Sequence, residues 1–375
     1  MAGITLSSAV RTNLNSLQAT SSLMSAVQER LSTGKKVNSA LDNPNSFFTA
    51  QGLENRASDL STLLDDMGQS IQGLKAADKG ISSISDLVDA AKAKANQALQ
   101  TSSQTERAQF ATEYNELLGQ IEDLAKDAGY GGKNLLGGTG NDLSVVFNED
   151  GTSSLSISAV DYTDTSLSTG LNLSDLATAV DGTGTLSFTA ASTTTTLTTS
   201  TQFASGDTLT LTDANGSEVA SITIDDNTTV ADLEAVYDGL DGVSASFASN
   251  ALTITSEYVL TTSSSGTLPD ETTNGTDSGF ATDTAIESTL SSLKSAQDTL
   301  RAQASTFGTN LSIVENRQDF TKALINTLEE GAGKLTLADT NEEGANLLAL
   351  QTQQTLASTS LSLAAQADQN VLRLF

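Results

Sequence analysis

Carboxylates are the side chains of this sequence best suited to chemistry, because its 375 residues include no Cys and no His. That absence excludes thiol nucleophiles, histidine-based triads and zinc or haem sites with Cys or His ligands. The acidic pairs at 65–66 and 225–226, and the Asp238–Asp241 cluster, could bind Ca²⁺ or act as general acid and base.

None of these acids has the spaced D-x-[DN]-x-[DN]-G pattern of a calcium loop. With no Trp and only 4% aromatic residues, the chain also lacks the usual platforms for stacking sugars. The carboxylates therefore predict a solvated acidic surface, with no catalytic residue, no metal site and no cofactor.

A glycine-rich stretch at residues 129–140 is the second candidate, since loops of this composition can cradle phosphate. However, Gly132-Lys133 is followed by Asn134, where a phosphate loop has Ser or Thr, and no buried strand precedes it. The stretch predicts the end of a helix and a turn into a hairpin, not a nucleotide site.

Charge is distributed unevenly along the chain. The formal net charge is −28, and no Lys or Arg occurs between Lys133 and Lys294, which indicates a separate domain. Phosphate groups are bound by clustered Lys and Arg, so the charge excludes nucleic acid and anionic membrane surfaces as partners. No apolar run reaches the ~18 residues of a membrane span, and the N-terminus lacks a signal-peptide pattern. These facts alone indicate a cytoplasmic protein.

Long helices are predicted on both sides of the basic-free stretch. The chain has only two prolines, Pro44 and Pro269, and proline interrupts helices. Apolar residues recur in alternating steps of three and four, the coiled-coil pattern. A helix over about 45–100 would be roughly 80 Å long at 1.5 Å per residue. Ser103 and Glu106 have the spacing of a capping box that begins another helix.

The C-terminal part repeats this pattern. A seven-residue spacing runs from Leu293 to Leu328, the glycines at 331 and 333 are expected to break the helix, and Thr340 with Glu343 predicts a further capping box. Both chain ends are apolar on one face and have no packing partner nearby in sequence. We therefore expect them to pair with each other and to form an assembly surface.

Two sets of residues are predicted to line these helix contacts. The set named here the terminal seam consists of Val10, Leu14, Leu17, Met24, Leu31, Leu347, Leu350, Ala357, Leu361, Ala364 and Val371. The set named the long-helix seam consists of Leu53, Leu60, Leu64, Met67, Ile71, Leu293, Leu300, Phe307, Leu311 and Val314.

Residues 141–282 differ in texture, being rich in Thr, Ser, Gly and Asp. Within them, 206–256 predicts a ββαββ module. An Asn215-Gly216 turn joins two strands, Thr229 and Asp232 cap a short helix, and a second hairpin follows. The predicted fold is α+β: a long antiparallel coiled-coil hairpin formed by both termini, with an inserted β-rich domain.

Several segments resemble bacterial flagellin. Residues 29–42, ERLSTGKKVNSALD, resemble its N-terminal signature, and GGKNLL at 131–136 is similar to its NGKNLL turn. The strings ENR at 315–317 and QNVL at 369–372 resemble its C-terminal helical segment. The resemblance covers about residues 1–140 and 284–375, and the ββαββ module is similar to a repeat inserted in flagellins and hook-associated proteins.

The resemblance implies a structural subunit, not an enzyme, that is exported unfolded and polymerises into the extracellular filament used for swimming. It implies that 1–44 with 336–375 form an inner tube (D0), and 45–140 with 283–335 a helical bundle with a β-turn (D1). Residues 141–282 then form an outward β-rich domain (D2). The implied partners are further copies of the chain, a flagellar export chaperone, the filament cap and hook-junction proteins. In the family the free termini are disordered and fold on assembly.

Two other functions stay open at this point. The hook–filament junction protein shares the terminal signatures, although the GKK-x-NSA-x-D segment and the NVL ending favour flagellin. A surface polysaccharide-binding protein would use an exposed D2, rich in Asp and Thr, to hold glycans through Ca²⁺. Electron microscopy separates the classes, because only a filament subunit forms long filaments.

Overall fold

The computed structural model describes residues 8–189 and 192–372. The helices in this part are α1 (Ser8–Thr33), α2 (Pro44–Gln100), α3 (Gln104–Asp127), α4 (Val230–Asp238), α5 (Asp283–Thr336) and α6 (Thr340–Leu372). The strands are β1 (Leu143–Val146), β2 (Ser154–Ile157), β3 (Gly182–Ser187), β4 (Thr208–Thr212), β5 (Glu218–Thr223), β6 (Val243–Ala248), β7 (Ala251–Ser256), β8 (Thr261–Ser264) and β9 (Glu271–Thr272). The predicted α+β fold, with long helices at both ends and a β-rich insert, is confirmed.

The chain divides into two compact units. In its described part, the first unit comprises 8–67, 146–154 and 316–372, and the second comprises 68–145 and 155–315, without 190–191. The boundary between residues 67 and 68 falls inside α2, and the boundary between residues 315 and 316 falls inside α5. Each of these helices therefore contributes to both units.

In the first unit, α1 and α6 lie side by side and antiparallel. Asn13 Nδ2 donates to Ser360 Oγ at 3.3 Å, and at the other end Arg30 Nη1 lies 3.1 Å from Glu343 Oε1. The linkers that follow α1 and precede α6 are also hydrogen-bonded, with Ala338 N donating to the Gly34 carbonyl at 3.0 Å. The predicted pairing of the two chain ends is therefore present.

Helices α2 and α5 also run antiparallel. In the first unit, Ala57 and Leu60 of α2 form an apolar cluster with Leu328 of α5. In the second unit, Lys75 Nζ lies 3.4 Å from Glu315 Oε1. The three- and four-residue spacing of apolar side chains places a continuous buried stripe on each helix, which is why such long helices are stable.

The expected helix break at residues 331–333 is wrong. Helix α5 continues through Gly331 and Gly333 to Thr336. Ala332 is 1% exposed and Thr336 7%, so this turn is packed. Burial here outweighs the roughly 1 kcal/mol by which a glycine weakens a helix interior.

The predicted capping box at Thr340 and Glu343 is also wrong. Asp339 caps α6 instead, its Oδ1 accepting from Asn341 N at 2.9 Å. The Glu343 carboxylate pairs with Arg30 and is not used to close a box. Asp is as good a capping residue as Thr, and the ion pair to α1 gives Glu343 a stronger partner.

The ββαββ module is confirmed as β4, β5, α4, β6 and β7, and the capping box of Thr229 with Asp232 is formed. Its two hairpins enter different sheets, one of order β3-β7-β6 and one of order β5-β4-β8-β9. Strands β3, β8 and β9, which the sequence patterns did not single out, complete these sheets. The turn between β6 and β7 places Ser249 and Asn250 at φ 53° and 65°, as a two-residue hairpin turn requires.

The glycine-rich stretch ends α3 and leads into the β1–β2 hairpin, as predicted. Gly131 and Gly132 have φ of 58° and 82°, a conformation that side chains with a Cβ rarely adopt. Asn134 Nδ2 donates to the Ala125 carbonyl at 2.8 Å and so satisfies a free carbonyl at the end of α3.

Candidate assembly interface

The terminal seam is partly buried between α1 and α6. Val10 is 8% exposed, and the other members whose side chains the structure describes have intermediate exposure. The side chain of Val371 lies outside the described set. Because a pair of helices buries only one stripe of each partner, partial burial is what this contact provides.

A second apolar stripe on α6 is left exposed. Leu348, Leu356 and Leu363 are 69%, 67% and 63% exposed. The three leucines are separated by eight and then seven residues. On a helix with 3.6 residues per turn, these steps place all three side chains within a sector of roughly 80° around the helix axis, so they share one side. The sequence patterns pointed to the stripe that packs on α1 and missed this one, although its spacing could have revealed it.

Further large apolar side chains are exposed in the first unit. They are Leu23, Leu41, Phe48, Phe320 and Leu337, with Leu41 96% exposed. Among the described residues, most of the exposed large apolar side chains belong to this unit. These side chains, together with the exposed leucines of α6, are the candidates for contacts with a partner.

Leu41 stands on a fixed loop. The carboxylate of Asp42 accepts hydrogen bonds from the backbone N–H of Ser39 at 2.9 Å and of Asn38 at 3.0 Å. These bonds, that from Ser39 foremost, lower the pKa of the Asp42 carboxyl below its ordinary value. Asn43 Oδ1 accepts from Ser46 N at 3.1 Å and caps α2, which begins at Pro44. The loop therefore presents Leu41 to solvent in a defined position.

The long-helix seam forms core. Leu60, Met67, Ile71, Leu293, Leu300, Phe307 and Val314 are at most 5% exposed, and Leu53, Leu64 and Leu311 are partly buried. These residues hold α2 and α5 within the units and are not available as a surface.

A groove of about 210 Å³ lies beside the tip of the β1–β2 hairpin in the first unit. Phe147, Phe320 and Leu324 supply its apolar walls. The Arg317 guanidinium lies 5.3 Å from the centre of the Phe147 ring, within reach of a cation–π interaction. The first unit thus offers both protruding and recessed apolar surface.

Asp225 shows what an acidic residue of the predicted surface does in the structure. Asp225, one member of a predicted surface pair, accepts from the backbone N–H of Asn227 and Thr228, each at 2.8 Å. Its pKa is lowered, chiefly by its bond with the Thr228 hydroxyl. Within residues 8–189 and 192–372, no three acidic side chains come together as a metal would require. No described helix is both long and apolar enough to cross a bilayer.

The described fold has long paired helices at both ends of the chain, a β-rich insert, and apolar side chains exposed on its helices. Comparison of the sequence with known families specifies the protein further. Residues 5–141 match the bacterial flagellin N-terminal helical region, and residues 290–375 match the bacterial flagellin C-terminal helical region. The chain belongs to the bacterial flagellin family.

Similar proteins span the whole chain. Flagellin A of Rhizobium meliloti is 28% identical, and the match covers 100% of both chains. The flagellin of Brucella melitensis biotype 1 is 26% identical over 100% of this chain and 99% of its own. Among solved structures, Xanthomonas campestris FlgL aligns with 73% of this chain and 98% of its own, at 14% identity and a TM-score of 0.32.

Proposed function

We propose that this chain is the structural subunit that polymerises into the helical filament of a bacterial flagellum and so supports swimming. The observation that carries the proposal is the leucine stripe Leu348, Leu356 and Leu363, exposed on a helix whose other apolar stripe already packs on α1. Burying one leucine side chain contributes roughly 1.5–3 kcal/mol, so a subunit contact over this stripe would be strongly favourable.

The position of the apolar surface supports a polymer over a closed dimer. Exposed apolar side chains lie on three different elements, the α1–α2 loop, α5 and α6. Contacts between different surfaces of identical subunits do not form a two-fold dimer, and they generate a helical filament when the rotation from one subunit to the next does not close a ring.

The domain assignment is part of the proposal. Residues 1–44 with 336–375 form the inner tube, 45–140 with 283–335 the surrounding helical bundle, and 141–282 the domain that faces outward. The basic-free, acidic composition of the last segment suits a solvent-facing position, because like charges repel at a tight contact.

We place the protein outside the cell, exported through the channel of the flagellum. Its partners in this proposal are other copies of itself, an export chaperone, the filament cap and hook-junction proteins. It has no catalytic role and needs neither nucleic acid nor membrane. Family membership supports the structural role, the self-association and the extracellular filament.

Electron microscopy of the purified chain tests the proposal. Monomer concentrated in the presence of short filament fragments is expected to elongate them into long filaments of constant diameter. Monomers that never polymerise, but bind glycans when Ca²⁺ is added, would instead establish a polysaccharide-binding surface protein.

Trypsin is expected to remove the chain ends from the monomer first and to spare them in the filament. The cleavable sites there are Arg11, Arg30, Lys35, Lys36 and Arg373. Helices α1 and α6 share a single partly buried stripe, so they open more readily than the long-helix core. No site exists between Lys133 and Lys294, which makes the central fragment an internal standard.

A time course read by intact mass, run on monomer and filament in parallel, measures this difference. Equal resistance of the ends in both forms would mean that the α1–α6 pair is already stable before assembly. That result would contradict ordering of the ends on polymerisation while leaving the filament itself unaffected.

A further inference from the structure

A buried arginine at the start of α3 joins three segments of the second unit. Arg107 is 4% exposed, and its guanidinium donates to the Thr101 carbonyl at 2.9 Å and the Ala281 carbonyl at 3.0 Å. The third contact is with Asp283 Oδ1 at 2.6 Å. Thr101 lies in the α2–α3 loop, whereas Ala281 and Asp283 lie where the chain leaves the β-rich region and enters α5.

Gln104, one turn earlier, reaches the β-sheet itself. It is 5% exposed, and its Nε2 donates to Asp213 Oδ2 at 2.9 Å and to the same Ala281 carbonyl at 3.1 Å. Asp213 belongs to the turn between β4 and β5, where its Oδ1 accepts from Ser217 N at 2.9 Å. The carboxylate therefore ties a sheet turn to a helix of the bundle.

Smaller contacts surround these two side chains. Asn215, in the same turn, accepts from the backbone N–H of Asp283 at 3.2 Å, and the Ser103 hydroxyl donates to Asp241 at 3.3 Å. Gly242 approaches so closely that a Cβ there would lie 2.6 Å from the Thr105 hydroxyl. The β-rich region thus meets the N-terminal turn of α3 over several separate chain segments.

We propose that this cluster is a clamp that sets the orientation of the β-rich domain on the helices. We define the α3 clamp as Gln104, Arg107, Asp213 and Asp283 with the Ala281 carbonyl. Separating the two parts would break the hydrogen bond between Gln104 and Asp213, whose side chains are 5% and 8% exposed, and unpairing polar groups at such a buried contact is disfavoured. The domain is consequently held in one orientation and not merely tethered by the chain that enters and leaves it.

The clamp goes beyond assembly into a filament, because all its residues come from one chain. It predicts a fixed orientation already in the monomer. Its failure and a failure of the filament proposal are therefore distinguishable, since the measurement needs no polymer.

Spin labels on the full-length monomer test the clamp. The chain has no Cys, so Ala93→Cys on α2 and Ala235→Cys on α4, both exposed, take labels only at those positions. Pulsed electron paramagnetic resonance is expected to give one narrow distribution of the distance between the two labels in the otherwise unchanged chain. Arg107→Met is expected to abolish that narrow peak. Arg301→Met, which removes an exposed arginine of α5 paired locally with Asp298, should leave the distribution unchanged.

A second variant guards against misfolding. Asp283→Asn keeps the shape of the side chain, which is half exposed, and removes its charge from the Arg107 pair. Circular dichroism verifies the folding of each variant. Asp283→Asn is expected to broaden the distance distribution, and it provides the test should Arg107→Met not fold. A narrow, unshifted distribution in every folded clamp variant would overturn the proposal.

Discussion

A chain that lacks residues 345–375 is expected to stay a folded monomer and to form no filament. The deletion removes the α6 half of the terminal seam, including Leu347, Leu350 and Leu361, and with it the exposed stripe of Leu348, Leu356 and Leu363. Burying one leucine side chain contributes roughly 1.5–3 kcal/mol. The loss of several buried leucines per subunit therefore removes more contact free energy than the remaining surface of α1 can supply. Sedimentation and electron microscopy measure the polymer, and the melting curve of the monomer reports the remaining fold.

A point variant separates the two stripes of α6. Leu356→Glu places a charge in the exposed stripe without touching the contact with α1, and we expect it to prevent polymerisation with monomer helicity unchanged. The matched control is Gln353→Glu, an exposed position of the same helix that gains the same charge. If Leu356→Glu polymerises to the same extent as Gln353→Glu, the exposed stripe is not an assembly surface.

Phe307→Ala is expected to destabilise the monomer by about 3–5 kcal/mol, the usual cost of emptying a phenylalanine site in a core. The Phe307 side chain is 1% exposed in the helical part of the second unit, between the turns that hold Leu300 and Val314. A net stability of about 5–15 kcal/mol makes this a large fraction of the total. The shift in the midpoint of thermal unfolding, followed at a helix-sensitive wavelength, measures it.

Phe320→Ala on the same helix is the matched control for that substitution. Phe320 is 58% exposed, so its removal should change monomer stability by no more than about 0.5 kcal/mol. Comparable destabilisation by both variants would mean that Phe320 is covered in the monomer. It would also remove one patch from the proposed self-association surface.

Prediction from sequence succeeded where structure depends on neighbouring residues. The steps of three and four in α2, the scarcity of proline and the Thr229–Asp232 capping box are all local patterns, and each predicted its element correctly. The same reasoning separated the Thr- and Asp-rich insert from the helices, because strand and helix place apolar residues at different periods. The specific ERLS-type signature added the family.

Tertiary structure decided the features that join distant residues. Glycines at 331 and 333 weaken a helix locally, yet α5 continues through them because Ala332 is packed on its surroundings. Leu356 and Leu361 look alike in the sequence, and only the position of α1 determines which of the two is covered. Gln104 meets Asp213 across more than a hundred residues, and no local pattern encodes such a contact. Periodicity specifies which face of a helix is apolar, whereas the free energy of burial depends on what packs against that face.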